Sequence, residues 1–159
     1  MSDFAPTDRL LAVRLVGDTG RALGPEMQQE LDVALYDLSE ENRFRLGGQT
    51  GPYRLGIRLA ERRLVLEIAD ADGTTVAAEE LSLAPLRGLL KDYVAICDSY
   101  FDAVRRLPPA EIEAIDDGRR SLHDEGARLL RDRLAGRVET DLATARRLFT
   151  LIVALQSPG

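Results

Sequence analysis

The sequence predicts an α+β domain: a small, mainly antiparallel sheet of about four strands with four helices packed on it, in the order β-α-β-β-β-α-α-α. Three observations predict it. Short runs alternate apolar and polar residues with period two, the signature of a half-buried strand. Longer runs, mostly after Pro85, repeat apolar residues at steps of three and four, the signature of a helix with one buried stripe. The alternating runs are gathered in the first half and the helical runs in the second, which argues against a β-α-β-α alternation and its parallel sheet. A chain of 159 residues suits a single domain spanning 1–159.

The elements follow in order. "RLLAVRLV" (9–16) sets Leu11, Val13 and Leu15 against Ala12, Arg14 and Val16, and reads as a strand. "GDTGRALG" (17–24) is a loop. Pro25 suits the first position of a helix, where its missing N–H is no loss. Met27, Leu31, Ala34 and Leu38 then form one stripe, and Glu40, Glu41 and Asn42 end it. "FRLGGQTGP" (44–52) is a loop that opens with a short strand. "YRLGIRLA" places Leu55, Ile57 and Leu59 on one face, and "RLVLEIAD" does the same for Leu64, Leu66 and Ile68. Asp72-Gly73 is a strong hairpin signal, and "TTVAAEELSL" returns as the third strand of an antiparallel meander. Pro85 opens a long helix whose stripe is Leu86, Leu90, Tyr93, Cys97, Tyr100, Val104 and Leu107. Its breadth fits a helix lying across the sheet. Pro109 opens the next helix and Gly136-Arg137 closes it. Thr140 or Asp141 caps the last helix. That helix ends in "LFTLIVAL", apolar nearly all round, which fits a central core helix better than half of a dimer interface. "QSPG" is a loose tail.

Composition excludes several functions. The net charge is −6, and residues 1–80 carry all of it, with 9 basic against 15 acidic side chains; the remainder holds 12 of each. An acidic chain repels phosphate backbones, so nucleic acid is not an expected partner. No apolar run approaches the length of a membrane span. One cysteine, Cys97, permits no internal disulfide and suits a reducing compartment. The N-terminal stretch lacks a basic region followed by an apolar one, so no signal peptide is read. A cytoplasmic protein is expected.

Named chemistries fail one by one. One His and one Cys are too few for a histidine-based metal site, although an all-carboxylate Mg²⁺ site stays open. There is no phosphate-binding P-loop, and Lys91 sits within a helical run. "GGQTG" (47–51) is glycine-rich but leads into a strand, not a helix N-terminus, so it lacks the donors of a phosphate cradle. There is no GxSxG. Cys97 lies on an apolar stripe and reads as core rather than nucleophile. No cofactor is expected.

The stretch "IEAIDDGRRSLHDEGARLLRDRL" (112–134) is the exception worth pursuing. It holds the chain's one histidine, His123, between Arg119-Arg120 and Asp124-Glu125. Much of its charge has a plain explanation. Acids cluster early and arginines late, which complements the helix dipole. Asp116–Arg120, Arg120–Asp124 and Asp124–Arg128 are spaced i,i+4, and such surface pairs contribute about 0.3–0.5 kcal/mol each. Two features resist that explanation. Gly118 and Gly126 each cost a helix about 1 kcal/mol relative to alanine, unless Gly118 marks a helix end. Arg119 falls on the apolar stripe of Ile112, Ile115, Leu122 and Leu129, where it needs a buried carboxylate, a carbonyl or a bound anion. An anion pocket is therefore expected near Arg119, Arg120 and His123, with Asp116 or Glu125 orienting the histidine. The leading expectation is a non-enzymatic binding or regulatory module for a protein partner or small anion. The rivals are a small enzyme on a phosphorylated or carboxylated metabolite, with His123 as acid–base group, and a homodimer built on Leu148 to Leu155.

Three runs carry a family resemblance: "KDYVAICDSYFDAV" (91–104), "IEAIDDGRRSLHDEGARLL" (112–130) and "DLATARRLFTLIVAL" (141–155). With "LYDLSEENRFR" and "GPYRLGIRL" in the first half, they resemble the uncharacterised protein family 0262, small bacterial proteins found mostly in alphaproteobacteria. The resemblance covers nearly the whole chain. It implies a bacterial, cytoplasmic, stand-alone domain, and assigns no reaction, ligand or catalytic residue.

Overall fold

A computed structural model describes residues 4–16 and 23–156. Most of the loop expected over 17–24, namely 17–22, lies outside the described residues, as does 157–159 of the expected tail. The element order is β1 (Leu10–Leu15), α1 (Pro25–Glu40), β2 (Phe44–Leu46), β3 (Tyr53–Ala60), β4 (Arg63–Ala69), β5 (Thr75–Ser82), α2 (Arg87–Arg106), α3 (Pro109–Leu134), β6 (Val138–Thr140) and α4 (Leu142–Gln156).

The α+β expectation holds. The main sheet has the strand order β1-β3-β4-β5. β3, β4 and β5 form the antiparallel meander, and β1 adds to its edge in parallel with β3. Alternation dictates the faces: Leu55 pairs with Ile68, Ile57 with Leu66 and Leu59 with Leu64. All but Leu59 are at most 2% exposed. Between them, Arg58 meets Glu67 on the opposite face through a 2.8 Å ion pair. Gly73 takes the left-handed conformation that the tight β4–β5 turn requires, at φ +89°.

β1 departs from its simple alternation. An irregularity between Leu10 and Ala12 interrupts the pairing with β3. Leu10 thereby enters the core and Leu11 faces outward, because one extra residue in a strand reverses the faces on either side of it. Asn42, just past α1, holds this edge. Its Oδ1 accepts from the Leu10 N–H at 2.6 Å, and its Nδ2 donates to the carbonyls of Leu10 and Leu38. A second, two-stranded sheet pairs β2 with β6, Phe44 opposite Thr140 and Leu46 opposite Val138. β6 was not foreseen, since three residues carry no period.

Pro85 begins with a short 3₁₀ turn, and the α-helix proper starts at Arg87. The expected stripe of α2 is buried at Leu90, Tyr93 and Cys97. In the last turns burial passes to Ala103, leaving Val104 exposed. The helices neighbour one another in the order α2-α3-α4-α1, and the buried residues of α2 share one core with the sheet. α4 is the central helix. Leu148, Phe149, Leu151, Ile152 and Val153 are at most 2% exposed and belong to one continuous core with the sheet. Asp141 caps α4, its Oδ1 accepting from the Thr144 N–H at 2.9 Å.

α3 runs unbroken through Gly118, so that glycine is not a helix end. The two glycines face different neighbours. A Cβ on Gly118 would lie 2.9 Å from the tip of Ile96 on α2. A Cβ on Gly126 would lie 2.3 Å from the ring of Phe149 on α4. Both admit a side chain of an adjacent helix, and neither is needed to admit a ligand. Helix propensity is given up for close packing.

Candidate functional site

Phe149, fully buried in the notch that Gly126 leaves, supports the histidine. The His123 ring meets it edge-on at 5.3 Å between centroids, and the Tyr93 ring packs 5.2 Å from His123 and 5.8 Å from Phe149. Three helices thus contribute one aromatic cluster. At its edge His123 Nε2 lies 2.8 Å from Thr150 Oγ1 on α4. The Thr150 hydroxyl donates to the Arg146 carbonyl one turn back, at 3.3 Å. The hydroxyl thus bridges the imidazole and the α4 backbone. Burial holds His123 well below the ordinary histidine value, near 4, and the Arg119 and Arg146 charges push the same way. His123 is neutral at physiological pH.

Above this cluster opens a cleft of about 770 Å³ between α1, α3 and α4. α1 contributes Glu30, Val33, Ala34 and Asp37, which share one helical face through steps of three and four. α3 contributes Asp117, Arg119, Arg120, His123 and Asp124, and α4 contributes Arg146, Arg147 and Thr150. Tyr93 of α2 closes the bottom. Burial pushes up the ionisation of both Tyr93 and Cys97, so neither is an activated nucleophile.

The structure brings Arg119, Arg120 and His123 to this one cleft. Asp116 stands just behind it. Arg119 is mostly buried, as its place on the apolar stripe implies, and carboxylates answer its charge. Asp116 accepts two bonds from it at 3.0 and 2.7 Å, Glu30 accepts one at 3.1 Å, and its guanidinium stacks over Tyr100 at 4.5 Å. Burial, the largest single effect, would lower its pKa; the Asp116 bonds together with the Tyr93, Asp116 and Glu30 charges outweigh it and raise the pKa. Arg120 is largely exposed and pairs with Asp117 at 2.8 Å and Asp116 at 3.3 Å. Asp116 thus orients arginines, not the histidine. Glu125 is exposed and does not line the cleft. Asp124 reaches both Arg128 and Arg146, and their hydrogen bonds hold its carboxyl below the usual range.

The sequence reading missed the α1 and α4 walls. Arg146, Arg147 and Thr150 lie in a run whose apolar density points to core, and Glu30 and Asp37 lie on what reads as the polar face of α1. The available signal was the i, i+3, i+4, i+7 spacing of Glu30, Val33, Ala34 and Asp37, which mixes acids with apolar residues on one face. Among the described residues no group of three His, Cys, Asp or Glu side chains is placed to hold a metal ion.

Fold and cleft together define an α+β protein with a charged, aromatic-floored pocket among its helices. The chain belongs to a family described as Uncharacterised protein family (UPF0262), whose model matches residues 7–157. A UPF0262 protein of Jannaschia sp. (strain CCS1) is 55% identical over 134 residues, 82% of this chain and 86% of the relative. One from Paracoccus denitrificans is 55% identical over 137 residues, covering 82% and 85%. One from Rhodospirillum rubrum is 48% identical over 157 residues, covering 99% and 98%. No solved structure matches the chain.

Proposed function

We propose that this is a non-enzymatic binding protein of the cytoplasm whose ligand is a small molecule bearing an anionic group, held in the cleft between α1, α3 and α4. One observation carries the reading: four arginines, Arg119, Arg120, Arg146 and Arg147, each ion-paired to a carboxylate, converge on a single cleft with a neutral aromatic floor. Its volume falls within the roughly 300–1,000 Å³ of small-molecule sites, which favours a small ligand over a protein partner. The exposed guanidinium forks of Arg120 and Arg146 suit a carboxylate or phosphate.

An enzymatic role for His123 has one feature in its favour, its place on the cleft beside a hydroxyl. Against it, an imidazole held near 4 is a weak base at neutral pH, and its Nε2 is engaged by Thr150. A homodimer through Leu148–Leu155 would need side chains that already fill the chain's own core.

The test is thermal unfolding of wild type and of an Arg146→Ala/Arg147→Ala variant with a panel of carboxylated and phosphorylated metabolites. Stabilisation of wild type alone supports the proposal; a ligand at about 100 times its Kd adds about 2.7 kcal/mol. No stabilisation by any member, or equal stabilisation of both proteins, contradicts it. Turnover of a panel member, abolished by His123→Ala, would establish the enzymatic reading in its place.

A further inference from the structure

An ion pair crosses each boundary between the three helices that wall the cleft. Glu30–Arg119 joins α1 to α3 at 3.1 Å, Asp124–Arg146 joins α3 to α4 at 2.6 Å, and Asp37–Arg147 joins α1 to α4 at 3.7 Å. The first two are reinforced, Arg119 by Asp116 and Tyr100 and Asp124 by Arg128. The third is the longest, beyond hydrogen-bond distance, and both its side chains are about one-third exposed. It is the pair a ligand displaces most easily. Beside it on α1 stand Ala34 and Val33, and Val33 is an apolar side chain left 47% exposed at the cleft.

An anion that takes Arg147 from Asp37 leaves Asp37 without its cation, on the wall that also carries Glu30. An unpaired Asp37 carboxylate facing a bound anion opposes binding, whereas Glu30 keeps Arg119. A ligand that supplies a cation of its own removes that opposition, because each half of the broken pair gains a new partner. Resting on the reading of the cleft as an anion site, we infer that its ligand is a small zwitterion with an apolar side chain. The carboxylate is received by Arg147, the ammonium by Asp37, and the side chain by Val33 and Ala34. Apolar α-amino acids are the simplest members of this class. They carry both charges on one carbon, which matches two adjacent opposite charges prised apart.

Calorimetric titration with three compounds of one shape tests this: leucine, isocaproate (which lacks the ammonium) and isoamylamine (which lacks the carboxylate). Leucine is expected to bind wild type at least about tenfold tighter than either analogue. Asp37→Asn is expected to weaken leucine to the level of isocaproate while leaving isocaproate no weaker. Arg147→Gln is expected to weaken leucine to the level of isoamylamine. Isocaproate binding as tightly as leucine would overturn the zwitterion inference and leave the anion site standing. Absence of leucine binding also overturns the inference, and absence of binding across the carboxylate and phosphate panel overturns the anion site as well.

Discussion

His123 offers a quantitative check, because the chain has one histidine and its signal needs no assignment. The perturbation is acidification from neutral pH to about 4. In the unfolded chain the imidazole titrates near 6.5; in the folded protein burial lowers it to about 4, aided by Arg119 and Arg146 and opposed by Asp124. Below 6.5 the unfolded state therefore binds a proton that the folded state refuses. The stabilisation is fully present above 6.5 and is lost progressively as pH falls towards 4. The gap corresponds to about 3 kcal/mol. The first assay is proton NMR of the imidazole, with an expected midpoint near 4. The second is urea unfolding of wild type and His123→Gln at neutral pH and near pH 4. Acid-labile carboxylates act on both proteins, so the difference between them isolates His123. It is expected to shrink by about 3 kcal/mol on acidification. A midpoint near 6.5, with a pH-independent difference, would refute the burial of a neutral imidazole against Phe149 and Tyr93.

Gly126→Ala puts a methyl group 2.3 Å from the Phe149 ring, which has no space to retreat into, and is expected to lower stability by about 1–3 kcal/mol in urea titrations. Gly118→Ala meets only the flexible tip of Ile96, so its gain in helix propensity, about 1 kcal/mol, should offset the crowding and leave stability nearly unchanged. Arg119→Ala leaves Glu30 without its cation and Asp116 with Arg120 alone, and is expected to cost about 1–3 kcal/mol, whereas Arg120→Ala, at an exposed pair, should cost less than about 1 kcal/mol. Cys97 is 1% exposed with its thiol pushed up by burial, so a thiol reagent should leave it unmodified in native buffer and react fully in denaturant.

Periodicity made most of the fold legible. Ile57 and Leu66, or Leu31 and Leu38, announce their faces because a buried stripe must repeat with the period of its element. β6 and the parallel placement of β1 were not legible: three residues show no period, and alternation says nothing of strand direction. The outward turn of Leu11 escaped for a related reason, since an irregularity in pairing leaves no trace in composition. In the candidate site, Arg119 was legible as a charge on an apolar stripe that needed an answering group. The identity of that group was not, because Glu30 lies 89 residues away and only the packing of α1 beside α4 brings it near. The glycines of α3 could be recognised as costly, but the side chains that fill their notches depend on helix order.

The role of the cleft is tested most directly by the imidazole resonance of His123 at neutral pH, followed while carboxylates and phosphate esters are added. His123 lines the cleft while neutral, so its signal reports occupancy without protonation. The expected result is a saturating displacement with at least one compound, absent in the Arg146→Ala/Arg147→Ala variant. A resonance that no carboxylate or phosphate moves, or that moves equally in the variant, would contradict a ligand site between α1, α3 and α4.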